Sequence, residues 1–278
     1  MSFFSKPGDF APRRVVSLQP SVTVILDRLG LLDRAVACTK YCVDICPAAR
    51  TADRSIIQDS WSAKAEEILA ANPDLVIASV PYQLDAVAEI LKAGAQFLGL
   101  APKSLKDIYS DISSIAGIMH APERGQYLIR EMQMETARVK NRYASLDKRP
   151  RVYCEERGKP LIHSQPWVAE LVDAAGGEFV GEPGKTTDAD TVSALDPDII
   201  IAAWCGAGDR VPLERIVQQR GWTELRAVRD ARMFCVNDEY LNTPAPTLLM
   251  GLHAIETAIH GGKADGLRRI AIKEIKSL

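Results

Sequence analysis

The chain has few cysteines, no excess of charge of either sign and no long apolar run, and each shortage excludes a class of protein. Six cysteines in 278 residues are too few for a small domain held together by disulfides. A net charge of −2, from 34 basic and 36 acidic side chains, gives no electrostatic reason to expect nucleic acid as a partner. No apolar run reaches the roughly 18 residues of a membrane-spanning helix. The composition is that of an ordinary globular protein, with 47% hydrophobic and 25% charged residues.

The beginning of the chain bears on its compartment. The first ten residues lack the basic stretch and the apolar stretch of a secretory leader. Sparse cysteines also fit a reducing compartment. These two observations predict a cytoplasmic protein, with a periplasmic or other extracytoplasmic location as the alternative if a leader has been removed.

Short aliphatic segments alternate with helical segments through the first hundred residues. Residues 14–20 predict a short buried strand ended by Pro20, and Ser21 is placed to cap the helix that follows. Residues 75–78 follow a Pro-Asp turn and have the uninterrupted apolar character of a parallel strand buried on both faces. This alternation predicts an α/β fold with a parallel sheet.

A helical region interrupts the alternation at residues 104–148. Leu105, Ile108 and Ile112 recur at helical spacing, and Pro122 begins a second, highly charged helical stretch. Since no strand candidate occurs in this region, the sequence predicts a long helical connector.

The α/β alternation returns after the connector and repeats a pattern from the first half. Residues 196–202 (DPDIIIA) resemble residues 72–78 (NPDLVIA), 124 positions earlier. The repeat predicts two Rossmann-like lobes with parallel sheets, joined by the long helical connector. The predicted boundaries are 1–103 for the N-terminal α/β lobe, 104–148 for the connector and 149–278 for the C-terminal α/β lobe.

Several stretches together carry a family resemblance, through their order and spacing more than through any single motif. They are residues 14–21, 40–42 with Pro47, 61–78, 174–177, 196–202, 221–229 and 244–246. The chain resembles the helix-linked (class III) periplasmic binding proteins of ABC importers. It is most similar to the vitamin B12-binding branch, and also resembles haem and iron–siderophore binders.

The resemblance implies a ligand cleft between the lobes, where ligands of parallel sheets bind outside the carboxyl ends of the strands. It implies a monomer that binds and delivers a small-molecule metal chelate and catalyses no reaction, so no catalytic cofactor is expected. The implied ligand is cobalamin or another corrinoid, with haem or an iron–siderophore as alternatives. An ABC permease is the implied partner.

Aromatic residues at expected strand ends are the main candidates for ligand contact. A large flat macrocycle needs apolar faces to pack against, and aromatic side chains provide them. The resemblance implies that Tyr41 and Trp61 lie against a corrin, and Tyr82 and Trp204 follow the two repeated strands. The alternative is that each ring only packs in the core. The predicted ligand contacts are Tyr41, Cys42, Trp61, Tyr82, Trp167, Trp204 and Tyr240.

Three cysteines are expected at the carboxyl ends of strands: Cys42, Cys154 and Cys205. Thiolates are metal ligands, so thiols from both lobes that face one cleft would hold a metal. The spacing of Cys38, Cys42 and Cys46 matches neither zinc-ribbon nor ferredoxin patterns. Free cysteine is also among the most buried residue types, which leaves a core role as the alternative.

Glu66 and Glu224 occupy matching helix starts in the two predicted lobes. In the resembled family, one acidic residue per lobe docks onto arginines of the permease, and these two glutamates are the candidates. The alternative is a solvated glutamate that only interacts favourably with the helix dipole.

A function of a different class remains open at this point. The chain could be a cytosolic protein that handles a metal cluster or cofactor, such as an iron–sulfur cluster, and uses the cleft cysteines on the same fold. Fold alone does not decide between the two functions.

Overall fold

The structure is a computed structural model that describes residues 11–58, 62–80 and 84–271. The chain divides into two compact units. Unit 1 comprises Met1–Pro102 and Lys106–Glu131, and unit 2 comprises Lys103–Leu105 and Met132–Leu278. Of the described helices, none is long and apolar enough to cross a membrane.

Unit 1 contains a parallel sheet in the order β3-β2-β1-β4-β5. The α/β prediction is confirmed here, and all five residues of β4 are buried, as its apolar run predicted. The strands are β1 Val15–Ser17, β2 Ala35–Thr39, β3 Ser55–Ile57, β4 Leu75–Ser79 and β5 Gln96–Leu100. The helices between them are α1 Pro20–Arg28, α2 Lys40–Ile45, α3 Ala65–Leu69 and α4 Leu84–Lys92.

The start of α1 differs from the expectation. Pro20 is the first helical residue, Gln19 is the N-cap without a side-chain hydrogen bond, and Ser21 lies inside the helix. Proline is favoured at the first helical position, because its fixed φ suits the helix and the amide hydrogen it lacks would have no helical partner. The expected role of Ser21 as the cap is therefore wrong.

Two helices form the helical region, α5 (Leu105–Ile118) and α6 (Pro122–Arg142). Between the two helices, His120 adopts a positive φ of 56°. The 21 residues of α6 span about 31 Å at 1.5 Å per residue. The chain passes from unit 1 to unit 2 within α6, so this division differs from the three-part division expected from the sequence.

Unit 2 contains a mixed sheet, which corrects the expectation of a second purely parallel one. Its order is β12-β11-β10-β6-β7-β9, with β8 also paired to β6. Strands β6, β10 and β11 are parallel, whereas β7 returns from β6 through a tight hairpin and is antiparallel. The strands are β6 Arg151–Gly158, β7 Leu161–His163, β8 Glu178–Phe179, β9 Thr186–Thr187, β10 Ile199–Ala202, β11 Met233–Val236 and β12 Leu267–Arg269.

The helices of unit 2 enclose this sheet around an apolar core. Trp222 and Tyr153 are fully buried in that core, with ring centroids 6.3 Å apart in an edge-to-face arrangement. The helices are α7 Pro166–Ala174, α8 Ala189–Leu195, α9 Leu213–Arg220, α10 Arg226–Arg229, α11 Glu239–Asn242 and α12 Leu248–His260. Because β6, β10 and β11 run parallel to one another, their carboxyl ends lie at one edge of the sheet.

Candidate functional site

The carboxyl edge of unit 1 is formed by the residues that follow β1, β2 and β4. Gln19 follows β1, and its Nε2 donates to the carbonyl oxygen of Ser79 at the end of β4 at 3.2 Å. Ligands of parallel sheets bind at this kind of edge. The edge is thus the part of unit 1 in which to examine the sequence candidates.

Tyr41 lies at this edge, in the first turn of α2. The turn is fixed by Thr39, the N-cap, whose Oγ1 accepts a hydrogen bond from the backbone nitrogen of Cys42 at 3.3 Å. The Tyr41 ring is half-buried, and the ammonium of Lys40 lies 4.7 Å from its centroid. Tyr41 is therefore partly exposed at this edge. Trp61 and Tyr82 lie outside the described residues.

Cys42 lies beneath the edge and is fully buried. Its sulfur lies 3.3 Å from Thr39 Oγ1 and 3.8 Å from the carbonyl oxygen of Ser17. Burial acts to raise the pKa of this thiol, but hydrogen bonds from Cys38, Thr23 and Thr39 outweigh burial and lower the pKa to about 6. The expectation that Cys42 presents its thiol directly to a ligand does not fit this burial.

The carboxyl edge of unit 2 is formed by the residues that follow β10 and β11. Trp204 follows β10 and is half-buried. Its Nε1 donates to Glu155 Oε1 at 2.6 Å, and the guanidinium of Arg220 lies 5.9 Å from the indole. The ring packs on Gly158, where an added Cβ would lie 2.1 Å from a ring atom. The indole is therefore held in one orientation with part of its surface exposed.

Glu155 supports the candidate site and was not among the residues that the sequence singled out. Its buried carboxylate accepts hydrogen bonds from Arg220 Nη1 at 2.7 Å and Nη2 at 3.1 Å. It also accepts from the Tyr153 hydroxyl at 2.9 Å, besides the bond from Trp204. Since Arg220 is 65 residues away in the chain, no local sequence pattern could have revealed this pairing.

Cys205 follows Trp204 on a loop that Asp238 holds in place. The backbone nitrogens of Gly206 and Gly208 donate to the two Asp238 oxygens at 2.7 and 2.8 Å. Cys205 is exposed, and its sulfur accepts a hydrogen bond from Asn242 Nδ2 at 3.3 Å. Although the residue is exposed, its sulfur is partly shielded from water, and this desolvation together with the negative charges of Glu156 and Asp238 raises its pKa to about 12. Cys205 is thus a protonated thiol at neutral pH.

Cys154 corrects the prediction of three thiols at strand ends. It lies in the middle of β6, paired with Ile201 of β10, and is fully buried. Burial raises the pKa of its thiol. The strand continues past Cys154 because its last residues pair with β7, Glu155 with His163 and Gly158 with Leu161. Over the described ranges, no group of three or more His, Cys, Asp or Glu residues is arranged to hold a metal ion.

Trp167 and Tyr240 have different surroundings. Trp167 is buried, and its Nε1 donates to the carbonyl oxygen of Leu241 at 2.8 Å. Its main contribution is to join α7 to α11, so the structure does not favour it as a ligand contact. Tyr240 is half-buried at the carboxyl edge of unit 2, close to Gly266, and keeps part of its ring exposed.

Glu66 and Glu224 are both exposed. Glu66 lies in the first turn of α3, and Glu224 ends a short 3-10 turn, Trp222–Glu224. Their exposure is compatible with contact to a partner protein, but also with simple solvation.

A cavity of about 1150 Å³ lies elsewhere in unit 2. Its lining comes from α6, α12, the following loop and β12, and includes Arg138, Arg232 and Lys263. The lining does not include Trp204, Cys205 or Tyr240. We therefore place the candidate site at the carboxyl edges and not in this cavity.

Comparison with known proteins identifies the family. Residues 15–240 match the family model of the periplasmic binding proteins. The chain belongs to the periplasmic binding protein family.

Individual relatives of this periplasmic binding protein are distant but nearly full-length. A vitamin B12-binding protein of Vibrio cholerae is 26% identical over 267 residues, which cover 92% of this chain and 91% of the relative. An uncharacterised ABC transporter substrate-binding lipoprotein of Bacillus subtilis is 24% identical over 266 residues, which cover 90% and 80%. The structure of a periplasmic haem-binding protein from Pseudomonas aeruginosa has a TM-score of 0.82 at 20% identity, covering 94% and 98%. These likenesses confirm the two-lobed α/β fold.

The expected cytoplasmic location is wrong. The chain matches a periplasmic family over most of its length, and the Bacillus subtilis relative is a lipoprotein. The number of cysteines misled because buried cysteines serve as small core residues in any compartment. The alternative of a cytosolic metal-cluster protein loses its support with the compartment.

Proposed function

We propose that this periplasmic binding protein binds a corrinoid, cobalamin or a close analogue, and delivers it to an ABC importer without catalysing a reaction. The observation that carries the proposal is the family match, joined to a vitamin B12-binding relative that aligns over 92% of this chain. Half-buried aromatic rings at the carboxyl edges support it, since a flat macrocycle packs best against apolar faces.

The proposed contacts are assigned to each unit separately. In unit 1 the contact is Tyr41, whose ring is half-buried on the first turn of α2. In unit 2 the contacts are Trp204, held in orientation by Glu155, with Cys205 and Tyr240 on the same edge. The high pKa of Cys205 favours contact through a neutral thiol, because a metal ligand would have to be deprotonated.

Calorimetric titration with cyanocobalamin, cobinamide and haemin tests the proposal. We expect heat of binding with the two corrinoids, and a loss of affinity of roughly 5- to 150-fold in Tyr41→Ala, the scale of a lost aromatic contact. Tyr127→Ala is the matched control, because Tyr127 is a tyrosine of unit 1 that is 67% exposed and lies on α6. Absence of heat with both corrinoids would contradict the proposal. Heat of binding with haemin alone would show that the protein binds haem instead of a corrinoid.

We propose that Glu66 and Glu224 dock onto basic residues of the importer, as charge complementarity between transient partners requires. The double charge reversal, Glu66→Lys with Glu224→Lys, is expected to abolish uptake of labelled corrinoid by cells that depend on this protein. Corrinoid affinity of the purified variant should not change. Glu123→Lys, at another exposed glutamate in a first helical turn, is the control. Unchanged uptake in the double variant would refute the docking role.

A further inference from the structure

Glu156 is a bulged residue at the carboxyl edge of unit 2. In the pairing of β6 with β7, Glu155 lies opposite His163 and Arg157 lies opposite Ile162, so Glu156 is the extra residue between them. Bulges are common beside functional sites, because they bend the strand and re-aim a side chain. The bulge therefore takes Glu156 out of the regular ladder at the edge where the candidate site lies.

The bulge brings Glu156 into contact with the candidate site. Its carbonyl oxygen accepts a hydrogen bond from the backbone nitrogen of Cys205 at 3.0 Å. Its Oε1 accepts a hydrogen bond from Nε2 of Gln165, the N-cap of α7, at 2.8 Å. Cys205 directly follows Trp204, whose indole is a proposed ligand contact. Glu156 thus joins the loop that carries Trp204 and Cys205 to the start of α7.

The carboxylate of Glu156 is half-buried and has no cationic partner at close range. Glu155 is paired with Arg220, whereas Glu156 forms no ion pair among the residues that the structure describes. Burial raises the pKa of Glu156, against the opposing effects of the Gln165 hydrogen bond and the positive charge of Arg157. Because water screens a partly buried charge less, this carboxylate interacts strongly with a charge placed beside it.

We propose that Glu156 determines ligand specificity by favouring amide groups on the rim of the ligand over carboxylates. An ionised carboxylate only accepts hydrogen bonds. The rim of a corrin ring carries acetamide and propionamide groups, whose N–H groups donate, whereas haem carries two propionate carboxylates. Like charges brought together at a binding surface weaken binding. This inference rests on the proposed function, because it takes the carboxyl edge as the place where the corrinoid binds.

A purely structural role for Glu156 leads to a different expectation. If the carboxylate only held Gln165 in place, an amide of the same shape could accept the same hydrogen bond, and the choice of ligand would not change. Glu156→Gln therefore separates the two roles, because it removes the negative charge and keeps an acceptor oxygen.

Cyanocobalamin and its three propionamide-derived monocarboxylic acids test the proposal. In each acid one propionamide of the corrin rim is hydrolysed to propionate, so the ligands differ in a single group. In calorimetric titrations of the unsubstituted protein, we expect at least one acid to bind about 10- to 100-fold more weakly than cyanocobalamin, the effect of two like charges placed together. In Glu156→Gln the difference for that acid should fall to about fivefold or less, the scale of a solvent-exposed charge pair.

Glu178→Gln is the matched control, because it removes one negative charge from an exposed glutamate of the same unit. Glu178 lies in β8 opposite Arg151, which begins β6, and so lies away from the carboxyl edge. This variant should keep the full difference between cyanocobalamin and the acid.

Three results would overturn the inference and leave the corrinoid function standing. The first is equal binding of cyanocobalamin and all three acids by the unsubstituted protein, a comparison that needs no variant. The second is an undiminished difference in Glu156→Gln, and the third is an equal loss of the difference in Glu178→Gln. Failure of every corrinoid to bind is a separate result, because it refutes the proposed function and this inference with it.

Discussion

Replacing Glu155 with leucine is expected to lower the free energy of unfolding of unit 2 by about 3–5 kcal/mol. The Glu155 side chain is 2% exposed and that of Arg220 is 10% exposed, with 2.7 Å between Nη1 and Oε2. Removal of the carboxylate leaves the guanidinium charge buried without its partner. It also leaves the Trp204 indole nitrogen and the Tyr153 hydroxyl without their acceptor.

Urea unfolding followed by tryptophan fluorescence measures this effect, because three of the four tryptophans lie in unit 2. The double variant Glu155→Leu with Arg220→Met is expected to recover much of the loss, since it removes the unpaired charge together with its former partner. Glu156→Gln is the control, because Glu156 is only half-buried and accepts a hydrogen bond from a neutral side chain, that of Gln165, at 2.8 Å. A loss below about 1 kcal/mol in Glu155→Leu, the scale of an exposed ion pair, would contradict the argument.

Replacing Gly251 with alanine is expected to destabilise unit 2 by about 1–3 kcal/mol, the usual effect of overpacking. Gly251 lies in α12, and an added Cβ would be 2.2 Å from the carbonyl oxygen of Tyr240 and 2.6 Å from a side-chain carbon of Leu241. Because the nearest atom belongs to the backbone, α11 itself must move away from α12. That movement displaces Tyr240, so corrinoid affinity should fall together with stability.

A glycine-to-alanine substitution in α5 provides a matched control, with the opposite expected effect on stability. A Cβ at Gly117 would meet no atom within 4 Å. Gly117→Ala is therefore expected to raise stability by about 0.5–1 kcal/mol, because alanine loses less backbone entropy than glycine in a helix. Thermal unfolding of both variants measures the two effects. A more stable Gly251→Ala protein would show that α11 and α12 are not packed as described.

Local sequence patterns determined most of the secondary structure. The aliphatic runs after Pro73-Asp74 and Pro197-Asp198 predicted β4 and β10, and both strands are buried throughout. The helical spacing of leucine and isoleucine predicted α5. Such patterns can be interpreted without the rest of the chain, because the period of the apolar positions depends only on the local backbone conformation. The order of the matching stretches was equally informative about the family.

Tertiary structure decided what each functional candidate can do. The sequence placed Cys154 at a strand end, but the strand continues by pairing with β7, and the charge of Glu155 is neutralised by Arg220, 65 residues further along. Trp167 and Trp204 had equal standing in the sequence, yet one indole is buried against α11 and the other is held half-exposed at the carboxyl edge. The sequence by itself identified the fold and the candidate residues. It could not decide their roles, because burial and hydrogen-bond partners depend on residues that are distant in the chain. Only the packing within each unit separated structural side chains from those with surface available for a ligand.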